Sequence, residues 1–321
     1  MLSLIVTRAP FRISLFGGGT DFEDYFKNYP SKILSFTFDK HIYVIAKIRD
    51  DNLIYLNYSR KEICSKISQI NHDLIREVLR YFKINFGIEI SIISDIPSKG
   101  SGLGSSSALT NALVLAVAKL LNKTLSQRQI SEISVYIEIK ILKKPIGIQD
   151  QYGTAFGGIK VINMKENKIE IKKVNNLKLK KIIENNSIIY DTRKNRKAEE
   201  ILTKQKQTIT KNIKQLNLIN EISNNVIKNL NKIDVNFLID KLNESWSIKK
   251  NLEKKISNIH IEKKIRFLRK KNFEGLKLCG AGKGGFIFAI KKVSNSVLNA
   301  NMKSIKIDYD GVKTIFFDKK M

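Results

Sequence analysis

Cysteine is almost absent. Only Cys64 and Cys279 occur among 321 residues, too few and too far apart for a disulfide framework, and a reducing, cytoplasmic setting fits that scarcity. The three histidines, His41, His72 and His260, are scattered and make no metal-ligand spacing with either cysteine, so a zinc enzyme has no support. No Gly-x-Ser-x-Gly elbow occurs, which removes a common hydrolase signature. No apolar run is long enough to cross a bilayer, and the apolar start Leu2 to Val6 meets Arg8 too soon for a signal-peptide core. Acidic residues are also scarce, 30 against 58 Lys and Arg, for a net charge of +28. That balance raises a nucleic-acid-binding protein as one reading. However, the lysines are spread from Lys160 to Lys320 among Asn and Ile, without an Arg-rich arm or an aromatic-studded basic strand. A field that draws in small anionic substrates is the simpler reading, with no specific nucleic acid as partner.

What is present is enough chain for a sizeable core and two domains. Short strand patterns occupy Ser3–Thr7, Arg12–Phe16, Ile33–Phe38, Ile42–Ile48, Leu53–Tyr58 and Ile88–Ser94, with a helix at His72–Phe82 among them. A helix from Ser126 opens with a capping box to Gln129 and carries the stripe Ile130, Ile133, Ile137 and Ile141. Strands over Val161–Val174 close a first half, 1–174. The second half, 175–321, starts with the strand Ser187–Asp191 and continues in long Lys/Asn-rich helices. Strands return at Leu276–Cys279, Phe286–Ile290, Ile305–Tyr309 and Val312–Phe317, with Asp310-Gly311 as a hairpin turn. Both halves are α+β.

Three glycine-rich segments carry the chemistry. Pro-Ser-Lys-Gly-Ser-Gly-Leu-Gly-Ser-Ser-Ser-Ala at 97–108 lies between a β-branched run and an amphipathic helix with Leu109, Leu113, Ala116, Val117, Leu120 and Leu121 at helical spacing. Gly100, Ser101, Gly102, Leu103 and Gly104 allow close approach of a ligand, and Ser105, Ser106 and Ser107 open a helix whose free N–H groups attract phosphate. The usual nucleotide pattern ending in Gly-Lys-Ser/Thr is missing from the chain. The second segment is Arg8-Ala9-Pro10-Phe11-Arg12-Ile13-Ser14-Leu15-Phe16-Gly17-Gly18-Gly19-Thr20-Asp21, and the third is Lys277-Leu278-Cys279-Gly280-Ala281-Gly282-Lys283-Gly284-Gly285-Phe286.

In this order the three segments resemble the GHMP kinases, the superfamily of galactokinase, homoserine kinase and mevalonate kinase, over almost the whole chain. The Phe-Gly-Gly-Gly-Thr-Asp ending and Ile148-Gln149-Asp150-Gln151-Tyr152-Gly153 are most similar to its sugar branch, the heptose 7-phosphate kinases in particular. The resemblance implies a two-domain fold, ribosomal-protein-S5-like then ferredoxin-like, with the active site between. It implies ATP as phosphoryl donor, Mg2+, and a sugar phosphate as acceptor, phosphorylated at the anomeric hydroxyl to give a 1,7-bisphosphate for activated heptose and surface polysaccharide. Fucose and galactose kinases are the neighbouring readings; a nucleic-acid-binding S5-like protein is the reading from another class.

Residue by residue, the resemblance implies Asp150 as the group facing the acceptor hydroxyl, with a helix cap as its structural alternative. Arg12 would lie beside it and the transferred phosphate, unless it is a salt-bridged surface arginine. Ser106 and Glu138 would hold Mg2+, and for Glu138 a solvated surface carboxylate is an equal alternative. Gly18, Gly19, Thr20 and Asp21 would meet the sugar, with Asp21 nearly as well placed to cap a helix over Phe22–Phe26. Gly18 and Gly19 stand where galactokinases carry a Glu-His pair, which speaks against galactose. Gly280, Ala281, Gly282 and Lys283 would close beside phosphates and acceptor; Lys283 replaces a usual glycine and contacts either phosphate or solvent. Arg196, within 191–197, is the candidate for a remote phosphate on the sugar.

Overall fold

The computed structural model describes residues 3–97, 100–166, 168–193, 198–253, 256–293 and 300–318. Its first sheet begins with β1 (Leu4–Phe16) and β2 (Ser31–Arg49), an antiparallel pair flanking the short helix α1 (Glu23–Phe26). The sequence pattern divides each of these strands in two, whereas both are continuous. β1 passes through Pro10 because its register against β2 slips between Pro10 and Phe11, and such an irregularity accommodates a residue that lacks an N–H. Arg12 follows at once. β3 (Ile54–Asn57), β4 (Lys61–Cys64), α2 (Asp73–Tyr81) and β5 (Gly87–Ser94) come next. His72 caps α2, its ring nitrogen accepting the Ile75 N–H. β5 lies antiparallel to β2 and parallel to β3.

Three helices then follow: α3 (Ser105–Leu120), α4 (Gln127–Val135) and α5 (Gln149–Ala155). The expected one-sided stripe of α3 does not hold, because every residue from Ser107 to Ala118 is buried, the polar Ser107, Thr110 and Asn111 included; a helix buried all round is a core helix. α4 carries the capping box of Ser126 and Gln129. Of its predicted stripe, Ile130 and Ile137 are buried but Ile141 is 36% exposed. The cause is a π-helical turn over Tyr136–Ile141, whose wider winding breaks the 3.6-residue repeat. Glu138, on that turn, ends with no exposure at all.

The hairpin of β6 (Ile159–Lys165) and β7 (Lys168–Lys173) extends the first half of β2. Past it run α6 (Leu177–Asn186), β8 (Ser187–Asp191), the helices α7 (Ala198–Gln207), α8 (Ile213–Lys228), α9 (Val235–Asn251) and α10 (Ile259–Lys270), then β9 (Gly275–Leu278), β10 (Phe286–Ile290) and β11 (Met302–Ser304). A second, antiparallel sheet forms in the order β11-β8-β10-β9, with α9 packed on β9. The last strand, β12 (Lys313–Asp318), returns to the first sheet beside β1 and makes it eight-stranded.

The expected strand Ile305–Tyr309 is reduced to a single bridge between Ile307 and Phe38, so the hairpin expected at Asp310-Gly311 does not form and β12 pairs with β1 instead. The reason is Asp308. Its carboxylate accepts the Asp310 and Gly311 N–H groups at 3.1 and 2.8 Å and meets His41 Nε2 at 2.9 Å and Arg8 at 3.2 Å, anchoring the segment to β1 and β2.

The third glycine segment is tied to the first loop. Phe286 N–H donates to the Ser101 carbonyl at 3.1 Å, and Gly285, at φ +93°, would place a Cβ 2.4 Å from that same oxygen. Gly285→Ala should therefore lower stability by about 1–3 kcal/mol through backbone strain, with the collision adding to it. A clear fall in Tm is expected; an unchanged Tm would contradict this close approach.

Candidate active site

α3 starts where the loop ends. Gly104 is its N-cap at φ +76°, a conformation that favours glycine, and a Cβ there would press on Arg12 Cγ and Thr154 Cγ2, each at 3.0 Å. The buried Leu103 offers its carbonyl to the Arg12 N–H at 2.9 Å, which docks the loop on β1. Ser101 Oγ accepts the Leu103 N–H at 3.2 Å and lies 3.2 Å from Ser105 Oγ. Gly100, Ser101, Gly102, Gly104 and Ser105–Ser107 line one wall of an open cleft.

Behind that wall is Glu138. Its carboxylate accepts from Ser106 Oγ at 2.9 Å, Ser107 Oγ at 2.7 Å, Thr110 Oγ1 at 2.7 Å and the Gln151 amide. The surface-carboxylate alternative is thereby removed. A buried carboxylate and an exposed hydroxyl 2.9 Å apart at a helix start form a hard-oxygen donor set that fits Mg2+, which commonly takes only one or two protein ligands.

Arg12 and Asp150 meet in the middle of the cleft. Arg12 Nε and Nη2 donate to one carboxylate oxygen of Asp150 at 2.9 and 2.6 Å, and Nη1 donates to the Gly102 carbonyl at 2.9 Å. Arg12 is 3% exposed, not a surface residue. Asp150 sits in the first turn of α5, whose N-cap is Ile148.

The remaining end of the cleft is built from β1, α5, α9 and the third segment. Asp21 does not cap α1, whose N-cap is Phe22; its carboxylate accepts the Gly19 N–H at 3.0 Å and, at the start of α5, the Gln149 N–H at 3.4 Å. Burial first, then the charge of Asp150, push the Asp21 carboxyl above the usual range. Gly18, Gly19, Asp21, Gly280 and Ala281 line the cleft. Thr20 is buried on the Gly17 carbonyl at 2.8 Å and is not among the lining residues. Neither are Gly282, where a Cβ would lie 2.6 Å from Ile256 Cα, nor Lys283, whose N–H donates to the Ile256 carbonyl at 2.8 Å. Arg196 lies outside the described residues.

Sequence reasoning missed Ser14, Gln149, Lys249 and Lys277, all of which line the cleft. Lys277 left a signal: it is the single charge in β9, a strand buried at every position. Lys249 left none, since it sits in a helix already rich in lysine. Lys277 Nζ donates to the Ser14 and Leu15 carbonyls at 2.8 and 2.7 Å, and Lys249 Nζ to the Gly280 carbonyl at 2.9 Å. Burial, then the nearby Lys249 and Arg12 cations, lower the Lys277 amine to about 7 from 10.5.

That shift has a definite sign. Between about 7 and 10.5 the unfolded chain holds a proton on this amine that the folded chain has shed, so stability rises with pH across the window and the burial cost is largest below it. Lys277→Met should flatten the rise of Tm between pH 7 and 10. An identical slope in both proteins would contradict the buried amine.

Residues 71–158 match the GHMP kinases N terminal domain. The chain is 29% identical over 305 residues to D-glycero-alpha-D-manno-heptose 7-phosphate kinase of Campylobacter jejuni, covering 89% of each. Its fold is similar to a crystal structure of a D-glycero-D-manno-heptose 1-phosphate kinase from Bacteroides thetaiotaomicron, with TM-score 0.76, 23% identity and 98% of each chain covered. It is also similar to Lactococcus lactis galactokinase in complex with galactose, with TM-score 0.77, 16% identity, and 97% and 95% of the two chains covered. The α+β fold is that of these kinase structures, and residues 71–158 carry the match to the GHMP kinases N terminal domain. Among the described residues no helix is long and apolar enough to cross a membrane.

Proposed function

We propose that this GHMP-family sugar kinase transfers the γ-phosphoryl group of ATP to the anomeric hydroxyl of D-glycero-α-D-manno-heptose 7-phosphate, giving the 1,7-bisphosphate and ADP. The observation that carries the reading is the Arg12–Asp150 pair, 2.6 Å apart, in the same cleft as a glycine and serine loop at a helix N-terminus. Phosphoryl transfer asks for little else than positioning and charge stabilisation.

In this reading the loop from Gly100 to Ser107 cradles the nucleotide phosphates on its N–H groups. Asp150 orients the acceptor hydroxyl and takes its proton as the new O–P bond forms and the bond to the ADP oxygen breaks. Arg12 bridges loop and carboxylate, so its guanidinium stands where charge builds on the transferred group. Mg2+ held by Ser106 and Glu138 would offset the charge of the β- and γ-phosphates. Asp21 accepts a sugar hydroxyl, and its desolvated carboxyl makes that hydrogen bond the stronger for excluding water. A product phosphorylated at the anomeric carbon suits later nucleotide activation, in a compartment supplied with ATP such as the cytoplasm.

The test is ATP consumption against free and phosphorylated hexoses and heptoses. Heptose 7-phosphate should be used best; consumption only with free fucose or galactose would move the assignment to those sugars. Asp150→Asn should stay folded and bind ATP yet turn over roughly a hundredfold more slowly, the usual worth of a positioned base. Near-normal turnover would remove Asp150 from that role.

A further inference from the structure

Three polar groups from three different elements converge on the space over Gly18. A Cβ at that position would lie 3.0 Å from Ser14 Oγ on β1, 3.7 Å from Gln149 Nε2 at the start of α5 and 3.8 Å from Lys249 Nζ near the end of α9. Gly18 is not among the glycines at positive φ, so its backbone would admit a side chain. What the missing side chain leaves open is the space itself. Ser14 Oγ is buried without a hydrogen-bond partner, a costly state for a hydroxyl unless something meets it, and Ser14 and Gln149 both line the cleft. Beneath them, Lys277 fixes the end of β1 through the Ser14 and Leu15 carbonyls while lining the same cleft.

An ammonium, an amide N–H and a hydroxyl around one small volume are a donor set suited to an anion. Asp21, a carboxylate lining the same cleft, already has its oxygens on the Gly19 and Gln149 N–H groups. None of the phosphate-loop residues is among the nearest atoms to that volume.

We propose that the space over Gly18 is a second phosphate subsite, formed by Ser14, Gln149 and Lys249 with Lys277 beneath them, and that it holds the non-reacting phosphate of the acceptor sugar. The choice of occupant rests on the phosphosugar-kinase reading. The same chemistry would also accept a nucleotide phosphate, and the experiment separates the two. Binding energy gained on the remote phosphate would be available to orient the reacting hydroxyl. The site thus assigns to Lys249 the task that the sequence pattern gave to Arg196.

The informative variants are Gly18→Ala, which fills the space without backbone strain, and Lys249→Gln, which removes its charge. Binding of inorganic phosphate and of heptose 7-phosphate is measured by calorimetry without nucleotide, with Tm as a control for folding. Steady-state kinetics with heptose and with its 7-phosphate follow. Both variants should weaken binding of the phosphosugar by roughly 10- to 100-fold, the range for losing a charge-assisted hydrogen bond, with the loss appearing in KM. Unphosphorylated heptose should lose far less. Equal losses for the two sugars would overturn the subsite in favour of hydroxyl recognition, and a loss confined to KM for ATP would overturn it in favour of the nucleotide. Should wild-type protein turn over no heptose phosphate, the proposed function fails on its own. Weakened binding of inorganic phosphate by both variants would then still support the subsite, and unchanged binding would refute it.

Discussion

Arg12 holds the cleft together. A guanidinium that is 3% exposed must be paired and hydrogen-bonded, because an isolated buried charge is far too costly to keep. Here Nε and Nη2 go to Asp150 and Nη1 to the Gly102 carbonyl, while its backbone N–H holds Leu103. One side chain from β1 therefore fixes both the phosphate loop and the first turn of α5. Gly104 answers to the same constraint: a Cβ there would lie 3.0 Å from Arg12 Cγ, so the loop approaches the arginine this closely because that position carries no side chain.

The second sheet is tied to this centre through hydrogen bonds to backbone carbonyls. Lys277, from the second sheet, reaches the Ser14 and Leu15 carbonyls at the end of β1, and the Ser101 carbonyl receives Phe286. Glu138 plays the corresponding part behind the loop, collecting three hydroxyls and an amide and so fixing how α3 begins. These connections leave little freedom in the walls and preorganise the cleft for ligands, as differential stabilisation of a transition state requires.

Much of this was legible in the chain. Strand Phe286–Ile290 and strand Ser187–Asp191 follow from β-branched and aromatic runs, the Ser126 capping box from its spacing, and the loop at Gly100–Ser107 from glycine followed by serine before an apolar helix. What was hidden had physical causes. The π-helical turn that buries Glu138 and exposes Ile141 has no signature in a 3.6-residue pattern, so the stripe overran. Asp310-Gly311 looks like a hairpin turn locally, but the partners of Asp308 lie 267 and 300 residues away in sequence, and local propensity cannot see them. Lys249 is anonymous in a chain with 58 Lys and Arg; only its position beside Gly18 and Gly280 sets it apart.

The position of the transferred phosphoryl group is read directly from the product. After reaction of the protein with ATP, Mg2+ and D-glycero-α-D-manno-heptose 7-phosphate, phosphorus NMR should show one new sugar phosphate signal coupled to the anomeric proton, with one ADP formed per molecule of sugar converted. A new phosphate coupled to any other carbon's proton, or ADP formed without a second sugar phosphate, would contradict the account.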